Sequence, residues 1–253
     1  MTPSIDSPRV VTRAQWMQER VALLAQEKAA LRESDRVAAA RRALPWVRVD
    51  TPYLFDTGAG RCTLAELFEG RRQLVVQHFM LGPGWAEGCP SCSYMADHAD
   101  GMVPHLAQRD IAFTAVSHAP WADIAPFRQR MGWRFRWVSS HGSDFNRDFA
   151  VSFAPDEVGR EALYNHGTSP AFRDELPGLS VFVRDDAGAV FHSYSTYGRG
   201  VEAMMGTYRL VDLTPRGRDE AALPYTMAWV KHHDRYAPDP AAAPAAGCCA
   251  AHA

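Results

Sequence analysis

No stretch of the sequence stays apolar for the roughly 20 residues that a membrane-crossing helix takes, so no membrane partner is expected. The first twenty residues, MTPSIDSPRVVTRAQWMQER, lack the apolar core of a secretory signal, and Asp6 and Glu19 fit poorly with an organelle transit peptide. A cytoplasmic location is the expectation. An excess of positive charge is missing too: the net charge is −2, which gives no electrostatic basis for binding nucleic acid. The sequence holds no G-x-G-x-x-G, no phosphate-binding loop and no G-x-S-x-G, so it offers neither a nucleotide cradle nor a nucleophilic serine. The five cysteines are not spaced as a disulfide scaffold. A chain of 253 residues, 47% of them hydrophobic, builds its own core without one.

What is present alternates between two periodicities. Thr12 and Gln15 form a capping-box pattern that predicts a helix from about Arg13 to Ala43, ended by Pro45. Its apolar face is narrow, which suits packing across the main body or pairing two subunits into a homodimer. Tyr53-Leu54-Phe55 reads as a short strand. The run Gln73 to Met80 reads as a buried central strand, and Ile111 to Ser117 as another. Residues 93–107 and 121–131 have helical spacing, with Gly132 as a stop. Asp185-Asp186-Ala187-Gly188 marks a hairpin between two further strands. Strands alternating with helices predict an α/β fold, with helices on both faces of a mixed central sheet. The expected division is a helical extension over 1–45, a main domain over 46–236 and a Pro/Ala-biased tail over 237–253.

The chemistry concentrates in Cys89-Pro90-Ser91-Cys92. The pair follows a buried strand through a Gly/Pro-rich loop and opens a helix. Unpaired N–H groups and the positive end of the dipole stabilise a thiolate there, and such placement lowers a thiol pKa from about 8.5 to roughly 3.5–7.5. Cys92, one turn on, is placed to close a disulfide. Reducing compartments favour redox or metal roles for paired thiols over structural ones. Two idle, buried thiols are the plain alternative. Zinc is disfavoured because no second ligand pair stands at close spacing. A soft metal such as copper is the other functional reading, with His78 or the vicinal Cys248 and Cys249 as further ligands.

Several long segments carry a family resemblance. QHFMLGPGWAEGCPSCSYMADHADG, RALPWVRVD, VSSHGSDFNRDFAVSF, ELPGLSVFVRD, FHSYSTYGRG, GTYRLVDLTPRGRDE and MAWVKHHDRY resemble, in the same order, the blocks of an uncharacterised bacterial thioredoxin-like family catalogued as a domain of unknown function. The resemblance covers about residues 9–236. It implies a thioredoxin fold with an N-terminal helical extension, and it supplies no reaction. YLFDTGAGRCTLAELFEGRRQLVVQHF is similar to the opening of the peroxiredoxin and TlpA-like branch. The departures are informative. Gly88, not Trp, precedes the first cysteine. Ala86 stands where peroxiredoxins carry a hydroxyl. Aligned on Gly188, Leu179 occupies the superfamily's cis-proline position, with Pro177 two residues early.

These readings make Cys89 and Cys92 the catalytic pair of a thiol–disulfide oxidoreductase. It needs no cofactor beyond its own disulfide and acts on a protein or small-molecule thiol or disulfide. Trp85, Gly88, Pro90, Tyr94 and His118 are the candidate substrate-facing residues. His118 ends a strand at the edge where α/β sheets place their sites. The polar run Phe191 to Tyr197 suggests a second patch, Ser143 and Asp144 suggest a helix cap, and His232-His233-Asp234 reads as a solvated helix end. Cys62 is expected to be an inert, partly buried thiol.

Overall fold

The computed structural model describes residues 8–237. The capping box forms at Thr12, whose Oγ1 accepts from the Gln15 N–H while Gln15 Oε1 accepts from the Thr12 N–H at 3.0 Å. Helix α1 then runs Arg13–Arg42 with no buried residue. Trp16, Met17 and Val21 stay largely exposed, so the expected packing of this helix across the main body is not what the structure shows.

Beyond α1 the elements follow in order: β1 (Val47–Arg48), β2 (Leu54–Thr57), β3 (Gly60–Thr63), a 3-10 turn (Ala65–Phe68), β4 (Gln73–His78), α2 (Pro90–Ala107), β5 (Ile111–Ser117), α3 (Trp121–Met131), β6 (Arg136–Ser139), α4 (Phe145–Asp148), β7 (Leu163–Tyr164), β8 (Ser169–Pro170), β9 (Gly178–Arg184), β10 (Val190–Tyr197) and α5 (Gly206–Val211). The main sheet is ordered β1-β10-β9-β4-β5-β6-β2-β3. Strands β4, β5 and β6 are parallel, joined through α2 and α3. The β9–β10 hairpin lies antiparallel along the other side of β4. A parallel β–α–β unit flanked by an antiparallel hairpin, with the dithiol at the start of the first helix, is a thioredoxin-like fold. The helix boundaries have local causes: Pro90 occupies the first position of α2, where its missing N–H costs nothing. Gly132 ends α3 at φ 68°, a conformation that suits glycine.

Alternation along β4 sorts the core into two layers. Leu74 and Val76 join Phe55, Leu67, Phe68, Phe145 and Phe182 on one face. Val75 and, just past the strand, Phe79 join Cys92, Met95, Phe127, Trp133 and Trp137 on the other. Helices α2 and α3 cover the second layer, while the 3-10 turn and α4 close the first.

By the same alternation His78 belongs with Leu74 and Val76. It stacks on Phe145 and Phe149, 5.6 and 5.7 Å between ring centroids, with the sheet between it and the dithiol. Its Nε2 lies 2.7 Å from Ser180 Oγ, which lies 2.8 Å from Ser195 Oγ, in turn 2.7 Å from His192 Nε2. The polar side chains of β10 thus belong to a hydrogen-bonded chain that ends on His78, whose buried Nδ1 has no partner among the described residues. Ser143 Oγ accepts from the Phe145 N–H, but Asp144 makes no capping bond.

Burial, with His192 adding to it, pushes His78 down to about 3. Between pH 6.5 and 3 the unfolded chain takes up a proton here that the native state refuses, so stability falls as the pH falls through that window. Denaturant midpoints measured from about pH 7 to about pH 4 should therefore decline, and His78→Gln should decline less steeply. Parallel slopes for the two proteins would mean that this histidine is not the source.

Candidate active site

Strand β4 delivers the chain to the loop 79–88, which returns it to the start of α2. The loop is fixed at both ends. The Cys89 N–H donates to the Met80 carbonyl at 3.0 Å, and Ser93 Oγ donates to the Cys89 carbonyl at 2.9 Å. Below the loop lies an aromatic platform. Phe79 sits 4.4 Å from Trp137 and 5.8 Å from Trp133 between ring centroids, and Phe127 packs 5.8 Å from Trp133. Pairs of this kind contribute about 0.5–1.5 kcal/mol each beyond burial. Gly88 lies directly on this platform, where a Cβ would stand 2.5 Å from Phe79 and 2.7 Å from Phe127. Gly88 is thus a packing requirement of the loop as well as the residue beside Cys89.

The two thiols are free and unequal. Cys89 is the N-cap of α2 and only partly buried. Its sulfur is pulled down to about 6, first by the Cys92 side chain as hydrogen-bond donor, then by the backbone N–H groups of Cys92 and Ser91 and by the Arg173 charge, all against the penalty of burial. Cys92 is fully buried. Burial pushes its thiol well up, and the neighbouring Cys89 and the Glu175 charge push the same way. The Met80 N–H points at Cys92 Sγ at 3.5 Å, and Gln77 Nε2 donates to the Cys92 carbonyl at 3.1 Å.

Cys89 opens onto a cleft of about 600 Å³ lined by Trp85, Glu87, Gly88, Pro90, Arg173 and the segment Val230, Lys231, His232 and Arg235. Three of the five expected substrate-facing residues, Trp85, Gly88 and Pro90, line it. Tyr94 does not; its ring borders a separate hollow with Asp97, His98, Thr207, Trp229 and Tyr236. His118 is also outside the cleft lining. Its Nδ1 donates to Glu175 Oε1 at 2.8 Å, and that partner raises its pKa. Glu175 is buried, with Ser152 Oγ donating to its other oxygen at 2.6 Å. His118 is thus linked to the carboxylate whose charge acts on Cys92.

His232 corrects the reading of the final segment as a solvated end. It is buried against Phe127, its Nε2 donates to the Gly88 carbonyl at 2.8 Å, and its Nδ1 accepts from Arg130 at 3.3 Å. Arg130 bridges Asp234 and Glu87, Arg235 pairs with Glu87, and His233 donates to Asp97. Glu87, Arg173, Glu175, Lys231 and Arg235 were not singled out in the sequence. The one visible signal was the charge density of KHHDR directly before Tyr236.

For a metal, the donor set is thin. Among the described residues no three His, Cys, Asp or Glu side chains gather as ligands. His78 lies across the sheet, and Cys248 and Cys249 fall outside the described residues. No described peptide bond is cis. Leu179 packs with Cys92 in the platform layer, and Gly178 pairs with His78 at the start of β9. Cys62 is buried in the opposite layer, and that burial raises its thiol. No described helix is long and apolar enough to cross a membrane.

Fold and site together define a thioredoxin-like dithiol protein, one helix-capping thiol at a cleft with a second buried behind it. The chain belongs to the family described as "Bacterial protein of unknown function (DUF899)", whose model matches residues 5–236. None of the curated proteins compared with it matches. Among solved structures it is similar to the peroxidoxin BcpB of Mycobacterium tuberculosis, at 16% identity over 66% of this chain and 96% of that one, TM-score 0.41. It is also similar to a cysteine-to-serine mutant of peroxiredoxin Q from Xanthomonas campestris, at 13% identity over 66% and 98%, TM-score 0.44. The mitochondrial 2-Cys peroxiredoxin of Plasmodium falciparum matches at 13% identity over 66% and 95%, TM-score 0.40. Likenesses at this level carry no statement about activity.

Gly88→Ala should lose about 1–3 kcal/mol of stability, because a methyl group driven into two rings forces the loop off its platform. Denaturant unfolding checks this, and a loss below about 0.5 kcal/mol would show that the loop has room to spare.

Proposed function

We propose that the protein is a thiol–disulfide oxidoreductase in which Cys89 attacks and Cys92 resolves. The observation that carries the reading is the asymmetry of the pair. Cys89 stands at a cleft with its thiol held at about 6, so it is largely thiolate at neutral pH. Cys92 is buried and keeps its proton. In the reaction the Cys89 thiolate attacks one sulfur of a substrate disulfide. The Cys89–substrate bond forms, the substrate S–S bond breaks, and a substrate thiolate leaves and takes up a proton. Uncharged Cys89 no longer opposes ionisation of Cys92, which loses its proton and attacks Cys89 Sγ. The second substrate thiol departs, leaving Cys89–Cys92 oxidised and the substrate reduced by two electrons. Run backwards, the same steps oxidise a dithiol.

A peroxidase reading finds less support. Ala86 offers no hydroxyl three residues before Cys89. A dithiol of this kind suits a reducing compartment such as the cytoplasm.

Trapping tests the proposal. Treated with 2-hydroxyethyl disulfide, the Cys92→Ser variant should retain a mixed disulfide on Cys89, located by peptide mass, while the wild-type pair resolves it to the Cys89–Cys92 disulfide. A Cys92→Ser protein that carries no adduct on Cys89, or a wild-type protein that never links the two residues, would overturn the assignment.

A further inference from the structure

The cleft in front of Cys89 is not electrically neutral. Beside the Cys89 thiolate itself, four of its lining residues carry charge: Glu87, Arg173, Lys231 and Arg235. Glu87 is already engaged, since Arg130 and Arg235 both bind its carboxylate. Arg130 outside the lining is balanced further by Asp234. Glu87 therefore compensates Arg235 and has nothing left for its neighbours. Arg173 and Lys231 make no side-chain hydrogen bond and no ion pair with any described residue. The acid groups next to Arg173 in sequence form no ion pair with it. Asp174 Oδ1 accepts from the Glu175 N–H, and Glu175 is bound by His118 and Ser152. Two cations without an ion-pair partner among the described residues thus border the cleft into which the reactive sulfur opens, the charge of Arg173 also acting on the Cys89 thiolate. Its volume of about 600 Å³ is that of a small-molecule site.

We propose that the cleft selects anionic disulfides: a small organic disulfide bearing carboxylates, held by Arg173 and Lys231 with one sulfur against Cys89. Resting on the oxidoreductase reading, this names the substrate class for the same site. Trp85, packed on the platform layer and exposed to the cleft, supplies an apolar wall for the substrate's carbon skeleton. A cleft with an excess of one sign of charge raises encounter rates for the opposite sign by about tenfold or more, and added salt weakens the effect.

Single-turnover oxidation tests this without any added reductant. The reduced full-length protein, carrying Cys248→Ser and Cys249→Ser so that tail thiols do not contribute, is mixed with three disulfides. These are glutathione disulfide, which is anionic; 2-hydroxyethyl disulfide, which is neutral; and cystamine, which is cationic. Formation of the Cys89–Cys92 disulfide is followed by mass, and each rate is divided by that of a free small dithiol with the same reagent. The anion should be favoured over the cation by about tenfold or more, and high salt should shrink the ratio. Lys231→Glu and Arg173→Ala should each reduce the ratio. Arg173 also acts on the Cys89 thiol, so the neutral reagent is the internal reference for that variant. Equal normalised rates for the three reagents, or a ratio that neither variant moves, would overturn the inference while leaving the oxidoreductase reading standing. A pair that none of the three reagents oxidises would overturn both.

Discussion

A negative charge on the sulfur of Cys89, held where burial alone would forbid it, sets the terms for the parts around it. Desolvation works against that charge, and a helix N-terminus by itself offers a modest counterweight. The largest favourable contribution is the Cys92 thiol donating to it. That arrangement couples the two sulfurs: the first ionises only while the second keeps its proton. Complete burial and the nearby carboxylate of Glu175 hold the proton on Cys92. In the proposed reaction, once Cys89 is drawn into a covalent bond the same proximity works in reverse and frees the resolving thiol. On that proposal one contact accounts for both the readiness of the first step and the order of the two steps.

Holding a sulfur in this way requires a loop that does not shift. The aromatic platform fixes it from below, with Gly88 the only residue type that fits against Phe79 and Phe127. His232 fixes it from the side through the Gly88 carbonyl. The pairs Arg130–Asp234, Arg130–Glu87 and Arg235–Glu87 tie the closing segment to α3 and to the loop. Exposed ion pairs contribute about 0–1 kcal/mol each, so their importance lies in placement more than in stability. They make the segment Val230 to Arg235 a wall of the cleft and leave Arg173 and Lys231 without an ion-pair partner among the described residues.

The parts that were legible in the sequence are those governed by local rules. The capping box at Thr12, the buried strands at Gln73–His78 and Ile111–Ser117, the stop at Gly132 and the hairpin over Asp185–Gly188 all follow from neighbours a few residues apart. The dithiol was legible for the same reason, because strand, loop and helix cap are contiguous. What escaped depends on contacts across long sequence separations. His232 lies 144 residues from the carbonyl it binds, and Arg235 lies 148 from Glu87. Neither segment announces the other. Tyr94 stands two residues from Cys92 in sequence, yet its ring turns to a different hollow. Strand parity, which the sequence does contain, sends the histidine of β4 to the far face, away from the dithiol. The short strand β6 was missed because Arg136-Trp137-Val138-Ser139 has neither length nor alternation, and its place is set by pairing with β5.

The most direct measurement is a titration of the Cys89 thiolate in the reduced protein, read from the pH dependence of its alkylation and located by peptide mass. The account predicts a midpoint of about 6 for Cys89, with Cys92 and Cys62 unreactive over the same range. Replacing Cys92 with Ala should move the midpoint upward, since the donor is gone. A Cys89 midpoint at or above that of an ordinary cysteine, or one indifferent to Cys92→Ala, would contradict it.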